Sequence, residues 1–430
     1  MLNKRSYTKQ AIVICFLVAV FYCYEYYLRV APSIISAELM NSLNISNAGL
    51  GLLSVCFYYA YTAVQIPVGL LIDKFGPRIV LTFACFLCVI GNYIFSATNV
   101  IHFAQVGRLI VGFGSAFAFV GFLKICTNWL PSKYYAMMVG LCMLLGMIGA
   151  MGGEILFAWL IKLMDWKQAL AVSTWVGVVL AIVLWLVIRN EPAKSKPAVT
   201  LNHTSKPLLK ELMTVLKNPQ IWLVGMIGCF TYLPLSSFAE MWAVPYLEAI
   251  GYTRTQAAYA SSMVFLGFGL GGPIWGLASN WLFSRRIPLI TGALVSAISA
   301  ALIVLQPEMH KYYMFSTLFC LGFFSSAEIL VFAVGNDIAY KNTAATTVAI
   351  INMIVMLGGI VLQPLIGMIL DVISNTSVSQ YQTALLIIPI SLFIASGLSF
   401  ILNESYKVQD TTTIPGQDGV AVNDLAPTYN

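Results

Sequence analysis

The chain has 430 residues, of which 59% are apolar and 9% charged, and its mean hydropathy is +0.85. Soluble domains carry about 25% charged residues, so a soluble enzyme is excluded and a membrane protein with many spans is indicated. The formal net charge of +6 then reports which side of the membrane the loops face, and no nucleic-acid partner is implied.

A spanning helix takes about 20 mostly apolar residues. In chain order the qualifying segments are 11–39, 48–72, 78–98, 102–126, 134–162 and 167–189, then 219–248, 256–281, 287–305, 312–339, 344–372 and 382–402. The start, "MLNKRSYTKQ", has the look of a signal peptide. Its apolar run, however, passes Pro32 and reaches about Met40 with no small-residue cleavage site, so it reads as an uncleaved first span. The expected fold is an all-α integral membrane protein of twelve helices in two six-helix bundles related by a pseudo-two-fold axis. The bundles are 1–189 and 219–405, with a Pro- and Lys-rich tether at 190–218 and a polar, disordered tail at 406–430. With the N-terminus in the cytoplasm, the loops on that side carry 16 basic residues; the opposite loops carry Lys162, Lys167, Arg254 and Lys311. That asymmetry puts both termini in the cytoplasm.

The halves echo one another. Gly69, Asp73 and Arg78 recur with identical spacing as Gly276, Asn280 and Arg285, and Pro32 matches Pro245 near the outer ends of the first and seventh spans. Repeated halves are typical of secondary transporters that bind their solute between them. The nine cysteines lie mainly in apolar runs, and Cys85 and Cys88 read as small apolar residues on one helix face rather than as a redox or metal pair.

"GLLIDKFGPR", residues 69–78, joins the second and third spans. Gly69 permits close packing, Asp73 can cap or pair with a helix terminus, Gly76 and Pro77 make the turn, and Lys74 and Arg78 anchor it. The segment fits a G-x-x-x-D-[RK]-x-G-x-[RK] signature and resembles the major facilitator superfamily, with the resemblance running from residue 8 to 405. The resemblance implies a cytoplasmic gate that locks the outward-facing state through Gly69, Asp73, Lys74, Gly76 and Arg78. The second copy departs from it with Asn280, while Arg285 or Arg286 can pair with Asp337, so an asymmetric gate is expected. "GRLIVGFGSAF" places Arg108 in the fourth span ahead of Gly112 and Gly114, small residues that allow close helix contact. Its bland reading is an arginine snorkelling to the outer interface.

Ionisable groups within spans are few: Glu25, Arg29, Arg108, Glu154, Glu240 and Glu328. Each must face a cavity or a partner. "YCYEYYLRVAPS" puts Glu25 and Arg29 four residues apart among tyrosines, Tyr26 included. The pair is either a static ion pair or a coupling device in which substrate takes Arg29 and Glu25 takes a proton. Glu240, Glu328 and Glu154 are the other candidate proton carriers. Arg29 in "YYLRVAPSI" also resembles the first-span arginine of organic anion–cation symporters, where it binds carboxylates. The pattern is equally similar to amino-acid transporters of intracellular bacteria and, more distantly, to lysosomal dipeptide transporters. Arg29 and Arg108 together suit a carboxylate through bidentate hydrogen bonds. In "FTYLPLSSFAEMWAVPYL" the prolines mark a cavity wall, and Trp242 stands where Arg29 does in the repeat, offering an aromatic face.

The expected function is proton-coupled uptake of a small carboxylate-bearing solute (an amino acid, short peptide or organic acid) by a monomer in a lipid bilayer, a bacterial inner membrane. No cofactor or metal is expected beyond the coupling proton. The rivals are export of a drug or siderophore and, from another class, a transporter-like sensor. No nucleophile–base pair or phosphate loop points to an enzyme.

Overall fold

The computed structural model describes residues 2–131, 134–190, 213–339, 343–373 and 377–403. The expected tether and tail fall largely outside these residues. Among the described residues eleven helices are long and apolar enough to cross a membrane, and the pair Asn47–Ala63 and Pro67–Phe75, bent by 60°, supplies the twelfth. The spans of the first half are Leu2–Ile34, that bent pair, Pro77–Ala97, Ile101–Trp129, Tyr135–Leu163 and Trp166–Val187. Those of the second half are Pro219–Ala249, Arg254–Trp281, Arg286–Leu305, Lys311–Ile338, Ala344–Val372 and Ser377–Ser399.

Local chemistry sets the starts of these helices. Ser46 accepts from Gly49 N, Asp165 from Lys167 N and Asn218 from Gln220 N, while Thr253 and Gln256 form a reciprocal capping box. Several spans expected to be continuous are broken. The first ends at Ile34 and a short helix, Ser36–Leu43, follows. The seventh contains a wide-turned π segment, Pro234–Trp242, that begins at a proline. The tenth contains a 3₁₀ turn, Ser326–Ile329. Such irregular turns need neighbours to satisfy their backbone and concentrate at functional sites.

The halves meet where the first span packs on the seventh, the second on the eleventh and the fifth on the eighth. Gly51 makes one close approach possible: a Cβ there would lie 2.6 Å from the Gln363 carbonyl oxygen. Gly367 makes another, with a Cβ position 2.3 Å from the Asn47 carbonyl oxygen. At the same end Arg254 bridges the halves, reaching Glu38 at 2.5 Å and Glu248 of its own half at 3.1 Å. Asp371, at the end of the eleventh span, accepts from the backbone N–H groups of Asn47 and Ala48 at 3.0 and 2.8 Å. It thus caps the second span across the interface, where the helix dipole favours a negative group.

The opposite end differs. Gly69 and its repeat mate Gly276 have no atom within 4 Å of their Cβ positions, so the close packing expected of Gly69 is not made here. The ion pairs between described residues at that end stay within one half. Asp73 meets Lys124 of the fourth span at 2.6 Å, and Arg285 Nε lies 3.7 Å from Asp337. The molecule is joined across its halves at the Glu38 end.

Removing the trans cap by Asp371→Ala is expected to cost about 1 kcal/mol, the usual value of an N-terminal cap. The thermal midpoint in detergent should fall accordingly, and an unchanged midpoint would show that the cap contributes nothing in solution.

Candidate functional site

The first span carries Glu25 and Arg29 on one face, i to i+4, and both are buried, at 0% and 3% exposure. Arg29 Nη2 donates to both Glu25 carboxylate oxygens at 3.3 Å. Arg29 Nη1 lies 3.6 Å from Glu240 Oε1, so a second carboxylate reaches the same guanidinium from the opposite half. The Tyr58 hydroxyl donates to the other Glu240 oxygen. Glu240 is delivered by the π segment of the seventh span.

A guanidinium this deep requires counter-charge, because the cost of removing a lone ion from water exceeds the stability of most domains. Aromatic faces supply the rest of its environment. The Arg29 Cζ atom sits 4.3 Å from the Tyr26 ring centroid, 4.9 Å from Phe57 and 5.1 Å from Tyr61. These rings come from the first and second spans, and their quadrupoles attract the cation.

Arg108 is expected either beside Arg29 on a carboxylate or at the outer interface. It is 3% exposed, so it does not snorkel. Its Nη1 donates to the Leu28 carbonyl at 2.9 Å and its Nη2 to the Arg29 carbonyl at 3.3 Å. The reason lies four residues on. Pro32 has no N–H to offer the Leu28 carbonyl, and Arg108 fills that gap from the fourth span. Gly112, one turn further along, lets the fourth span press on the Phe57 backbone, where a Cβ would meet the carbonyl oxygen at 2.1 Å.

Trp242 closes the π segment of the seventh span. It is fully buried, and its Nε1 donates to the Gln363 carbonyl at 3.1 Å. Its ring lines a cavity of about 230 Å³ near the Glu38 end, together with Ser36, Met40, Asn47, Pro245 and Tyr381. The aromatic faces on Arg29 are those of Tyr26, Phe57 and Tyr61. Glu154 of the fifth span bridges the halves elsewhere, accepting from Ser261 at 2.7 Å and Ser262 at 2.9 Å in the eighth. Glu328 is buried on the 3₁₀ turn of the tenth span and is no part of the Arg29 ion-pair network.

The loop at 69–78 makes its contacts within its own half. Arg78 stacks on Trp185 with its Cζ 4.3 Å from the ring, and its backbone N–H donates to Asn190 at 2.9 Å. Lys74 lies against Phe75 at 5.2 Å. Gly76 has φ +78, which glycine adopts without strain. In the repeat, 207 positions on, Phe283 occupies the equivalent turn and also has positive φ, +47. The backbone of the turn is therefore repeated even where glycine is not. Arg285 also donates to Ser279 at 2.8 Å and Asn280 at 3.3 Å.

Sequence reasoning missed Phe57, Tyr58 and Tyr61, although "FYYAY" in the second span signals an aromatic face. It also missed Gln363, Lys124 and the Glu38–Arg254–Asp371 closure.

Comparison with known proteins agrees with this architecture. The family model described as Major Facilitator Superfamily matches residues 14–362. The probable galactarate/D-glucarate transporter GudP of Escherichia coli (strain K12) is 23% identical, over 96% of this chain and 98% of its own length. The D-galactonate transporter of Escherichia coli O6:H1 is 24% identical, over 79% of this chain and 84% of its own. Among solved structures, a bacterial homologue of the human lysosomal transporter Spinster, inward-facing and unoccupied, superposes with a TM-score of 0.76 at 16% identity. That match covers 91% of this chain and 97% of the other.

If Arg108 serves the proline gap, Arg108→Leu should destabilise the protein by about 1–3 kcal/mol, the cost of an orphaned buried carbonyl. Pro32→Ala restores an N–H to the first span and should recover much of that loss in the double variant. Additive thermal shifts would contradict the assignment.

Proposed function

The chain belongs to the major facilitator superfamily, and we propose that it is a secondary transporter coupling proton entry to uptake of a small carboxylate-bearing solute. The observation that carries this reading is Arg29, held between Glu25 of its own half and Glu240 of the other. The relatives transport, by name, galactarate, D-glucarate and D-galactonate, all organic acids. The loop charge asymmetry makes the Asp73 end cytoplasmic, in a bacterial inner membrane, with the protein working as a monomer.

Charge balance supplies the coupling. Two buried guanidiniums, Arg29 and Arg108, stand with two buried carboxylates, Glu25 and Glu240. The set is neutral when all four are ionised. A substrate carboxylate that takes Arg29 adds a negative charge and strips a counter-ion from Glu25 or Glu240. A carboxylate left without its guanidinium in a buried, largely apolar setting is neutralised by a proton. Loading of substrate and proton therefore favour one another. Because Glu240 belongs to the second half, its release also removes an ion pair that ties the halves at the centre.

Glu25 is the leading proton carrier in this scheme, with Glu240 as its counterpart across the interface and Glu154 and Glu328 as further candidates. Arg29 is the carboxylate ligand, with Tyr26 beside it. Arg108 acts by holding the backbone at Leu28 and Arg29 rather than by touching substrate. Asp73, Lys74, Gly76 and Arg78, with Asn280, Arg285 and Asp337 on the other half, form the cytoplasmic gate once the halves rock together at that end. The joined Glu38 end then corresponds to closure toward the outside.

Reconstituted counterflow with labelled organic acids tests transport, and absence of exchange for every acid and amino acid tried would count against it. Glu25→Gln should keep exchange and lose accumulation driven by a proton gradient; accumulation at the wild-type level would remove Glu25 from the coupling. Arg29→Lys, which cannot offer a bidentate pair, should weaken acid binding by about tenfold or more, and wild-type affinity would make Arg29 structural.

A further inference from the structure

Around Arg29 the buried polar atoms that lack hydrogen-bond partners sort by chemistry and by place. Arg29 itself leaves Nε and Nη1 without a hydrogen-bond acceptor. Ser236 Oγ and Gln363 Oε1 also lack hydrogen-bond partners, as do Ser237 Oγ on the same turn and Arg108 Nε, while Arg29 Nη1 and Glu240 Oε1 have only each other, at 3.6 Å. Native proteins satisfy nearly all such groups, so an orphaned cluster in one place requires an explanation.

These groups are neighbours. Tyr58 donates to Glu240, whose other oxygen faces Arg29 at 3.6 Å. A Cβ on Gly359 would lie 3.2 Å from both the Tyr58 ring and the Ser236 side chain. One turn along the same helix, Gln363 Nε2 donates to the Ser236 carbonyl at 2.5 Å, which leaves its Oε1 as the unused acceptor. The cluster therefore runs from the Arg29 guanidinium on the first span to a serine hydroxyl and a carboxamide oxygen on the seventh and eleventh. Ser236 and Gln363 are buried, at 0% and 1% exposure.

We propose that Ser236 and Gln363, beside Glu240 and Tyr58, form a hydroxyl-reading subsite, and that the solute is a hydroxylated monocarboxylate whose acid group lies on Arg29. This rests on the carboxylate reading above and specifies its substrate class. The guanidinium end of the cluster needs an acceptor and the far end needs donors. A carboxylate with hydroxyls along its chain brings both, a hydroxyl donating a hydrogen bond to Gln363 Oε1 and another donating to, or accepting from, the Ser236 hydroxyl. Ser236 Oγ and Gln363 Oε1 carry no charge and Glu240 is already engaged by Arg29 and Tyr58, so the far end suits a hydroxyl better than an ammonium, which would need a counter-charge of its own. One acid group suffices, because Arg108 spends both terminal nitrogens on backbone carbonyls and has only its Nε over, while Arg29 has its Nε free and its Nη1 once Glu240 lets go. The site rejects a plain fatty acid of equal length, since binding it would bury the orphaned groups unpaired.

The test is ligand-induced thermal stabilisation of the purified full chain by D-galactonate and by hexanoate, which has six carbons and no hydroxyls. Wild type should be stabilised by D-galactonate and much less by hexanoate. Ser236→Ala removes a hydroxyl that has no partner, so its ligand-free midpoint should be unchanged or higher, while its affinity for D-galactonate falls about tenfold and that for hexanoate stays. Gln363→Leu should lose the same preference. Equal stabilisation of wild type by the two acids, or wild-type preference in both variants, overturns the subsite while Arg29→Lys still reports on the carboxylate site. Stabilisation by L-leucine and not by D-galactonate also overturns the subsite and spares the carboxylate reading. No response to any of the three, together with no exchange in vesicles, overturns both.

Discussion

The interaction on which the rest depends is one guanidinium shared between two carboxylates that belong to different halves of the molecule. Arg29 is buried, and neither Glu25 nor Glu240 has another cation among its described ion pairs. Removing a single partner would strand a charge in a medium that cannot solvate it. The surrounding structure works to hold this arrangement. Tyr26, Phe57 and Tyr61 wall the guanidinium, and Tyr58 fixes Glu240. The π segment aims Glu240 across the interface, and Arg108 secures the first-span backbone where Pro32 interrupts it.

A bridge at the centre gains mechanical meaning from what happens at the two ends. At the Glu38 end the backbones of the second and eleventh spans approach at Gly51 and Gly367, and Asp371 and Arg254 tie one half to the other. At the Asp73 end the corresponding loop turns its charges inward to its own half, on Lys124, Trp185 and Asn190. Packed interfaces of this kind are bistable rather than continuously deformable. Central charges that can be neutralised by a proton or exchanged for a substrate are well placed to bias which end is joined.

Much of this was legible in the sequence. Apolar run length gave the spans, and the offset of 207 between Gly69 and Gly276 reappears in the matching turns at Gly76 and Phe283. Glu25 and Arg29 were legible because charges in an apolar run are expensive and therefore stand out. The partner across the interface was harder, since Glu240 on Arg29 is a contact between residues 211 positions apart and depends on a π turn that periodicity does not signal. The contact of Arg108 with the Leu28 carbonyl was not legible, because a proline's missing N–H is a property of one helix, while the group that answers it sits on another. The orphaned Ser236 and Gln363 could not be seen at all from sequence, since a hydroxyl or amide becomes informative only when its neighbours fail to satisfy it.

The central claim is that an acid group arriving at Arg29 leaves a protein carboxylate to be neutralised by a proton. Binding-linked proton uptake measures this directly: D-galactonate is added to the purified protein in weakly buffered solution near neutral pH, and the change in a pH indicator is followed to saturation. The account predicts uptake of about one proton for each acid group bound, with the uptake curve of Arg29→Lys shifted to about tenfold or more higher acid concentration along with its binding. Saturable binding with no proton taken up would contradict it, and would leave Glu25, Arg29 and Glu240 as a static ion network around which the solute passes.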